Sequence, residues 1–466
     1  MTRQVISQRL FFSLSLLVLL IVAPLAALAQ QRTTDQLPPP TYTRPTVLSR
    51  PATPPPGTQP APIVPAPDTY VPDYETPLIR TQGLLVQTLD GSSVMEQAAD
   101  VAFNPASAVK LATALSALRS FGPEHRFITA VWTDGTLNPA TGTITGDLII
   151  SGRDPSFHYE HAIMIARELN RAGIRTVTGD LIVAPRFSMN FDWSTQRSGE
   201  VLYDTLDATR RPAAATRNWY EERQSLGDTA SLQTVPSVAV MGAVYVDSVP
   251  PRARLLLTHR SSKLVDVLKV LLCYSNNFMA ERIGDTLGGP EGVRRHVINT
   301  TVGLKPADIQ LATTSGLGVN RVTPRAMMKI FRALRDELAK HRLQPSDIMP
   351  VAGIDPGTLK KRYTSYPSRG SVIAKTGTLI RTDGGASALV GQMQTARGET
   401  LLFVIFNQRG NVLRFRESQD ALVTQLQSTR GGPAAFNYRP LTLAMRLADT
   451  ELDSASARQD EYEPAR

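Results

Sequence analysis

Residues 104–122 run NPASAVKLATALSALRSFG. Asn104 can cap a helix, Pro105 suits a first helical position, and Leu111, Leu115 and Leu118 recur on one face before Gly122, so the stretch predicts a helix with one buried face. Ser107 and Lys110 are three apart, which puts hydroxyl and ammonium side by side on that helix. Ser107 also falls in the first turn, where the positive helix end favours a developing alkoxide. A serine hydroxyl attacks only when a base removes its proton, and a desolvated lysine can be that base. Of the nine lysines, only Lys110 has a serine three positions before it. Taken alone, the pair is equally readable as a helix serine beside a surface lysine.

Two further stretches carry chemistry that would complete it. Ser275-Asn276-Asn277 follows an apolar helix: a second hydroxyl can relay a proton to a leaving amine, and an amide can orient a substrate backbone. The triplet is weak by itself, since Ser188-Met189-Asn190 has the same spacing. Lys375-Thr376-Gly377-Thr378 lies in a predicted strand and occurs once. Its lysine and threonines can hold a substrate carboxylate, and its glycine lets a substrate backbone approach the strand edge.

Around these stretches the chain divides by composition. Residues 1–29 read as an export signal: Arg3 and Arg9, an apolar run from Leu10 to Val22, then Ala27-Leu28-Ala29. An uncleaved anchor is the alternative, because the run to Ala29 approaches the ~20 residues a membrane span needs. Residues 30–77 are a Pro-rich linker without periodicity. The sequence predicts strands at 78–89, 130–133, 143–151, 176–183 and 253–258, and helices at 156–171, 262–273, 278–287 and 324–340. Near the end come strands at 371–379, 386–394 and 400–407 and a helix at 417–426. Helices followed by three sequential strands and a closing helix predict an α/β (α+β) fold in which helices flank an antiparallel sheet. Residues 187–250 show little periodicity. The expected organisation is a catalytic domain from 78–151 and 253–430, an inserted smaller domain at 152–252, and a tail at 431–466.

The formal charge of +9 rests on arginine, since only nine of 50 basic residues are lysine. No basic run is concentrated enough to mark a nucleic-acid site. Cys273 is the only cysteine, which excludes an internal disulfide, and its apolar surroundings suit the core. His158 and His161 are the one close histidine pair, and neither a His-Glu-x-x-His pattern nor a phosphate-cradling glycine loop occurs. No metal or other cofactor is expected.

The three stretches in this order form the known signature of penicillin-binding proteins and β-lactamases. The chain resembles the D-alanyl-D-alanine carboxypeptidases among the low-molecular-mass class C penicillin-binding proteins (serine peptidase family S13), the branch with an insertion between the first and second motifs. Ser151-Gly152-Arg153-Asp154-Pro155, His259-Arg260-Ser261-Ser262, Ser315-Gly316-Leu317, Asn320-Arg321-Val322-Thr323-Pro324 and Gly353-Ile354-Asp355 extend the likeness over roughly residues 80–430. The resemblance implies a transpeptidase-like fold shared with β-lactamases, in an exported enzyme of the periplasm or cell envelope.

It implies Ser107 as nucleophile, Lys110 as its base, and Ser275 with Lys375 as the proton path to the leaving D-alanine. Asn277, Thr376, Gly377 and Thr378 would hold the peptidoglycan stem peptide, and β-lactams would trap Ser107 as an ester. Three departures stand out. The 168 positions from Ser107 to Ser275 are few for this branch, Thr313-Thr314 replaces an Asp-Gly pair, and 380–386 is about four residues long in excess. An endopeptidase cutting crosslinks, a β-lactamase-type hydrolase and a catalytically idle wall-binding protein are the rival readings.

Overall fold

The structure, a computed structural model, describes residues 81–454. The expected signal at 1–29, the linker at 30–77 and the tail beyond residue 454 lie outside the described residues.

Along 386–408 the chain is apolar at nearly every position, which suits strands covered on both faces. Three such strands, β14 (Val372–Leu379), β15 (Ala386–Gln394) and β16 (Thr400–Gln408), join β1 (Gln82–Thr88) and β2 (Ser93–Gln97). The order is β14-β15-β16-β1-β2 and every pairing is antiparallel. Successive side chains point to opposite faces. Leu402, Val404 and Phe406 enter one core, while Leu401, Phe403 and Ile405 enter another with Val423 and Leu426 from the closing helix (Val412–Ser428).

The first of those cores surrounds helix α1 (Lys110–Phe121), in which every residue from Lys110 to Leu118 is buried. Three more helices pack there: α5 (Leu264–Tyr274), α6 (Asn277–Thr286) and α8 (Pro324–Lys340). Helix α8 has the predicted bounds, because Thr323 Oγ1 accepts from Ala326 N at 3.0 Å and Pro324 takes the first turn.

A second sheet has the order β10-β8-β6-β3-β11-β17. It consists of β3 (Ile128–Thr133), β6 (Leu148–Gly152), β8 (Leu181–Val183), β10 (Val244–Val246), β11 (Arg254–Arg260) and β17 (Glu451–Ser454). The expected boundaries at 151/152 and 252/253 therefore cut through a sheet. Residues 128–152 and 254–260 hydrogen-bond with the insertion strands, and Glu451–Ser454 pairs with β11. The expected tail accordingly returns to the body: Leu443 joins the main core and Arg446 donates to Asp266 at 2.6 Å.

The predicted strands at 143–151 and 176–183 are each two strands in different sheets. β4 (Thr136–Asn138), β5 (Thr143–Thr145), β7 (Thr176–Val177) and β9 (Ala239–Val240) form a separate four-stranded sheet. The chain crosses between sheets at Gly146-Asp147, Gly179-Asp180 and Gly242-Ala243. Gly179 N donates to Gly146 O at 3.0 Å and Gly242 N to Gly179 O at 2.9 Å. The carboxylates repeat the ladder, with Asp147 Oδ1 accepting from Asp180 N at 2.8 Å and Asp180 Oδ1 from Ala243 N at 2.7 Å.

Helices α2 (Tyr159–Arg171), α3 (Thr195–Leu206) and α4 (Ala213–Ser225) cover this region. It meets the catalytic helices through a ring cluster, in which Trp193 stands edge-on to Phe278 at 4.8 Å and Arg282 lies over both rings.

Candidate active site

The predicted helix at 104–122 opens differently from the expectation. Pro105 precedes a 3-10 turn, Ala106–Val109, and the α-helix begins only at Lys110. Ala106 sits at φ +46°, a left-handed conformation that costs energy for any residue with a Cβ. Asn104, fully buried, holds the turn: its Oδ1 accepts from Ala106 N at 3.0 Å, and its Nδ2 donates to Gly318 O at 2.9 Å and Asp383 Oδ2 at 2.7 Å. Gly316 passes so close behind that a Cβ there would lie 2.0 Å from Ala106 O. Ser107 is thus presented by backbone contacts on both sides.

Lys110 follows one turn later and is fully buried. Its Nζ is 3.2 Å from Ser107 Oγ, 2.7 Å from Asn277 Oδ1 and 2.6 Å from Ser315 O. Burial holds its pKa well below the ordinary lysine value, and the charge of Lys375 pushes it the same way, against a smaller opposing pull from Glu281. A neutral amine carries two hydrogens. Asn277 Oδ1 and Ser315 O accept both, which leaves the nitrogen lone pair for the Ser107 hydroxyl.

Ser275 caps α5 in a left-handed conformation, φ +57°. The carbonyl just before it, on Cys273, accepts from Thr358 N at 2.9 Å, and Gly357 packs against it where a Cβ would fall 2.1 Å away. Asn276 then caps α6 through Met279 N at 3.0 Å, so Asn277 starts a helix and reaches Lys110. Lys375, also fully buried, donates to Ser275 Oγ at 2.8 Å and to Thr376 O at 2.7 Å. Burial lowers its pKa to about 7.

Each pair of motifs is in contact: Lys110 with Asn277, Lys375 with Ser275, and the third motif with the first through Gly377. A Cβ on Gly377 would stand 2.6 Å from Pro105 O and 3.0 Å from Ala106 Cβ. The glycine is needed by the chain's own nucleophile turn, a demand that the sequence alone did not disclose. Thr376 is buried, and Thr378 Oγ1 accepts from Arg416 Nη2 at 2.8 Å. β14, which carries these residues, is an edge strand of its sheet.

The structure adds residues that the sequence reading left without a role. Glu281 accepts from Ser315 N at 3.0 Å and from Thr314 Oγ1 at 2.7 Å, which fixes the carbonyl that Lys110 uses. It lies four residues after Asn277, on the same helix face, and that spacing was a signal available in the sequence. Thr314, the departure from Asp-Gly, is accommodated because Gly284 leaves its side chain room: a Cβ there would lie 2.3 Å from Thr314 Oγ1. The extended 380–386 segment is pinned through Asp383, which receives Arg321 at 2.8 and 2.9 Å. His158 and His161 lie outside this constellation, at the start of α2, where His158 N donates to His161 Nδ1 at 3.1 Å.

A buried serine–lysine pair with a second serine–lysine pair across an edge strand is acyl-transfer machinery, and the sequence comparison agrees. The sequence model of the D-Ala-D-Ala carboxypeptidase 3 (S13) family matches residues 75–196 and 232–429, more than half of the chain.

The chain belongs to the D-Ala-D-Ala carboxypeptidase 3 (S13) family.

Among relatives of this S13 chain, a carboxypeptidase of Mycobacterium tuberculosis is 27% identical over 376 residues, covering 74% of this chain and 79% of that protein. The D-alanyl-D-alanine carboxypeptidase of an Actinomadura strain is 26% identical over 455 residues, covering 76% and 82%. The penicillin G-acylated predatory endopeptidase of Bdellovibrio bacteriovorus, solved with its immunity protein, shares the fold. Its TM-score is 0.65 at 23% identity, over 78% of this chain and 96% of that one. The S13 match leaves out 197–231, which holds most of α3 and all of α4.

Proposed function

We propose that this S13 enzyme removes the terminal D-alanine from peptidoglycan stem peptides through an acyl-enzyme on Ser107. The environment of Lys110 Nζ carries the proposal. The buried amine has two acceptors for its two hydrogens and faces Ser107 Oγ at 3.2 Å with its lone pair.

Lys110 takes the Ser107 proton as Oγ attacks the carbonyl of the penultimate D-alanine. Backbone N–H groups of Ser107 and Thr378 receive the oxyanion, a contribution of ~3–4 kcal/mol per donor in comparable enzymes. The C–N bond then breaks, and Ser275 passes a proton from Lys375 to the departing amine. Water hydrolyses the ester and restores Ser107. Asn277 orients the substrate amide, and Thr376 and Thr378 bind its carboxylate, with Gly377 keeping the strand close to Ser107. β-Lactams acylate the same serine, as penicillin G does in the structurally similar endopeptidase.

Slow loss of that ester is expected, which separates the enzyme from a β-lactamase. Glu281, the acid whose field reaches Lys110, has both oxygens engaged by Thr314 and Ser315, so it is not free to activate water. Export through residues 1–29 to the periplasm or cell envelope goes with this substrate.

The test is product analysis with a stem pentapeptide ending in D-Ala-D-Ala and with a crosslinked dimer, beside Ser107→Ala. Release of D-alanine from the pentapeptide by the parent alone supports the carboxypeptidase reading. Cleavage of the dimer without D-alanine release makes the enzyme an endopeptidase instead.

A further inference from the structure

Helix 412–428 points an uncompensated cation at the third motif. Asn411 caps this helix, accepting from Leu413 N at 2.9 Å and Arg414 N at 3.2 Å. Arg416 lies in its second turn, with the side chain about half-buried, and donates from Nη2 to Thr378 Oγ1 at 2.8 Å. Among the described residues no carboxylate pairs with it. Its electrostatic neighbour Arg362 differs, because Arg362 is held in a fork by Asp420 at 2.6 and 2.9 Å. Asp420 is thereby committed to Arg362. Burial, with Arg362 adding to it, disfavours the charge on Arg416. An anion bound beside Arg416 would reverse that penalty.

We propose that Arg416 is an anchor for the free carboxylate at the end of the substrate, acting with Thr378. The inference rests on the acyl-enzyme reading above. A hydroxyl has one hydrogen and two lone pairs. Since Thr378 Oγ1 accepts from Arg416, its own hydrogen is left to donate, and a carboxylate is the acceptor that suits both groups. The planar guanidinium has further N–H groups with which to meet the carboxylate directly. The arrangement selects ligands whose scissile amide is followed at once by a terminal carboxylate. Peptides and penicillins blocked there as esters or amides are rejected.

The test compares second-order acylation by benzylpenicillin and by its methyl ester in the full-length parent, Arg416→Gln and Arg416→Lys. The parent should prefer the free acid. A charge-assisted hydrogen bond of typical strength predicts that Arg416→Gln lowers this preference by roughly 10- to 100-fold. Arg416→Lys should recover part of it. Equal losses with acid and ester would make Arg416 a structural residue only and overturn the proposal. An unaltered preference in Arg416→Gln would overturn it too. A parent acylated by neither compound would instead refute the acyl-enzyme reading itself, and this inference with it.

Discussion

Replacing Asn277 by Asp changes one atom group beside Lys110 and should move the pH dependence of acylation. In the parent, Lys110 Nζ donates to Asn277 Oδ1 at 2.7 Å, and burial with the Lys375 charge keeps the amine well below its ordinary pKa. Asn277→Asp sets a carboxylate at that contact. An opposite charge within hydrogen-bond distance moves a pKa by ~1–3 units toward the charged form. The Lys110 pKa must therefore rise. Each unit corresponds to about 1.36 kcal/mol and leaves about tenfold less free base on the acidic side. Benzylpenicillin acylation near neutral pH should fall on the order of 10- to 1000-fold.

The loss should be recoverable, since the ascending limb of the pH–rate profile shifts upward by those same ~1–3 units. Loss of the Asn277 amide as a substrate donor lowers the plateau and leaves the limb in place, so the two effects separate. The assay is the second-order acylation rate across pH, followed by intact mass. A limb that stays where the parent has it would refute Lys110 as the base that activates Ser107.

Three further outcomes follow from the same geometry. Gly377→Ala places a Cβ 2.6 Å from Pro105 O, so the nucleophile turn must shift. Acylation should drop on the order of 100-fold in a protein that still folds, and near-parent kinetics would show that the turn yields freely. Asp355→Ala leaves buried Lys269 without the carboxylate now 2.7 Å away, and Tyr438 without its acceptor. Denaturant unfolding should show a loss of about 3–5 kcal/mol, and a loss under about 1 kcal/mol would contradict the account. Finally, burial sets the Lys375 pKa at about 7, and its protonated form supplies the leaving amine. The value of kcat/KM should therefore decline as pH rises through that region. A bound substrate carboxylate favours the ammonium, so the matching limb in kcat should lie at higher pH. A kcat/KM profile without a descending limb would contradict the role.

Much of this was legible in the chain because the decisive signals are local. Thr323-Pro324 marks the start of α8, and the unbroken apolar runs at 386–394 and 400–408 mark strands buried on both faces. The three motifs are short and ordered, so their residue types announce the chemistry before any fold is known. What was hidden depends on distant partners. Residues 143–151 and 176–183 look like single strands, yet each changes sheet at a glycine, and nothing local says which sheet receives the next residue. Helix 289–300 went unread, and α3 and α4 lie in a stretch whose strands, β9 and β10, are only two and three residues long. Arg416 meets Thr378 across 38 positions, and Asp383 meets Asn104 across 279, separations over which one sequence carries no pairing signal.

The most direct test of the central claim is intact-mass analysis after exposure to penicillin, with the parent beside Ser107→Ala. The account predicts one penicilloyl group on the parent, none on Ser107→Ala, and an ester that persists for many minutes. A folded parent that gains no mass, or a Ser107→Ala protein that gains as much, would contradict an acyl-enzyme at Ser107.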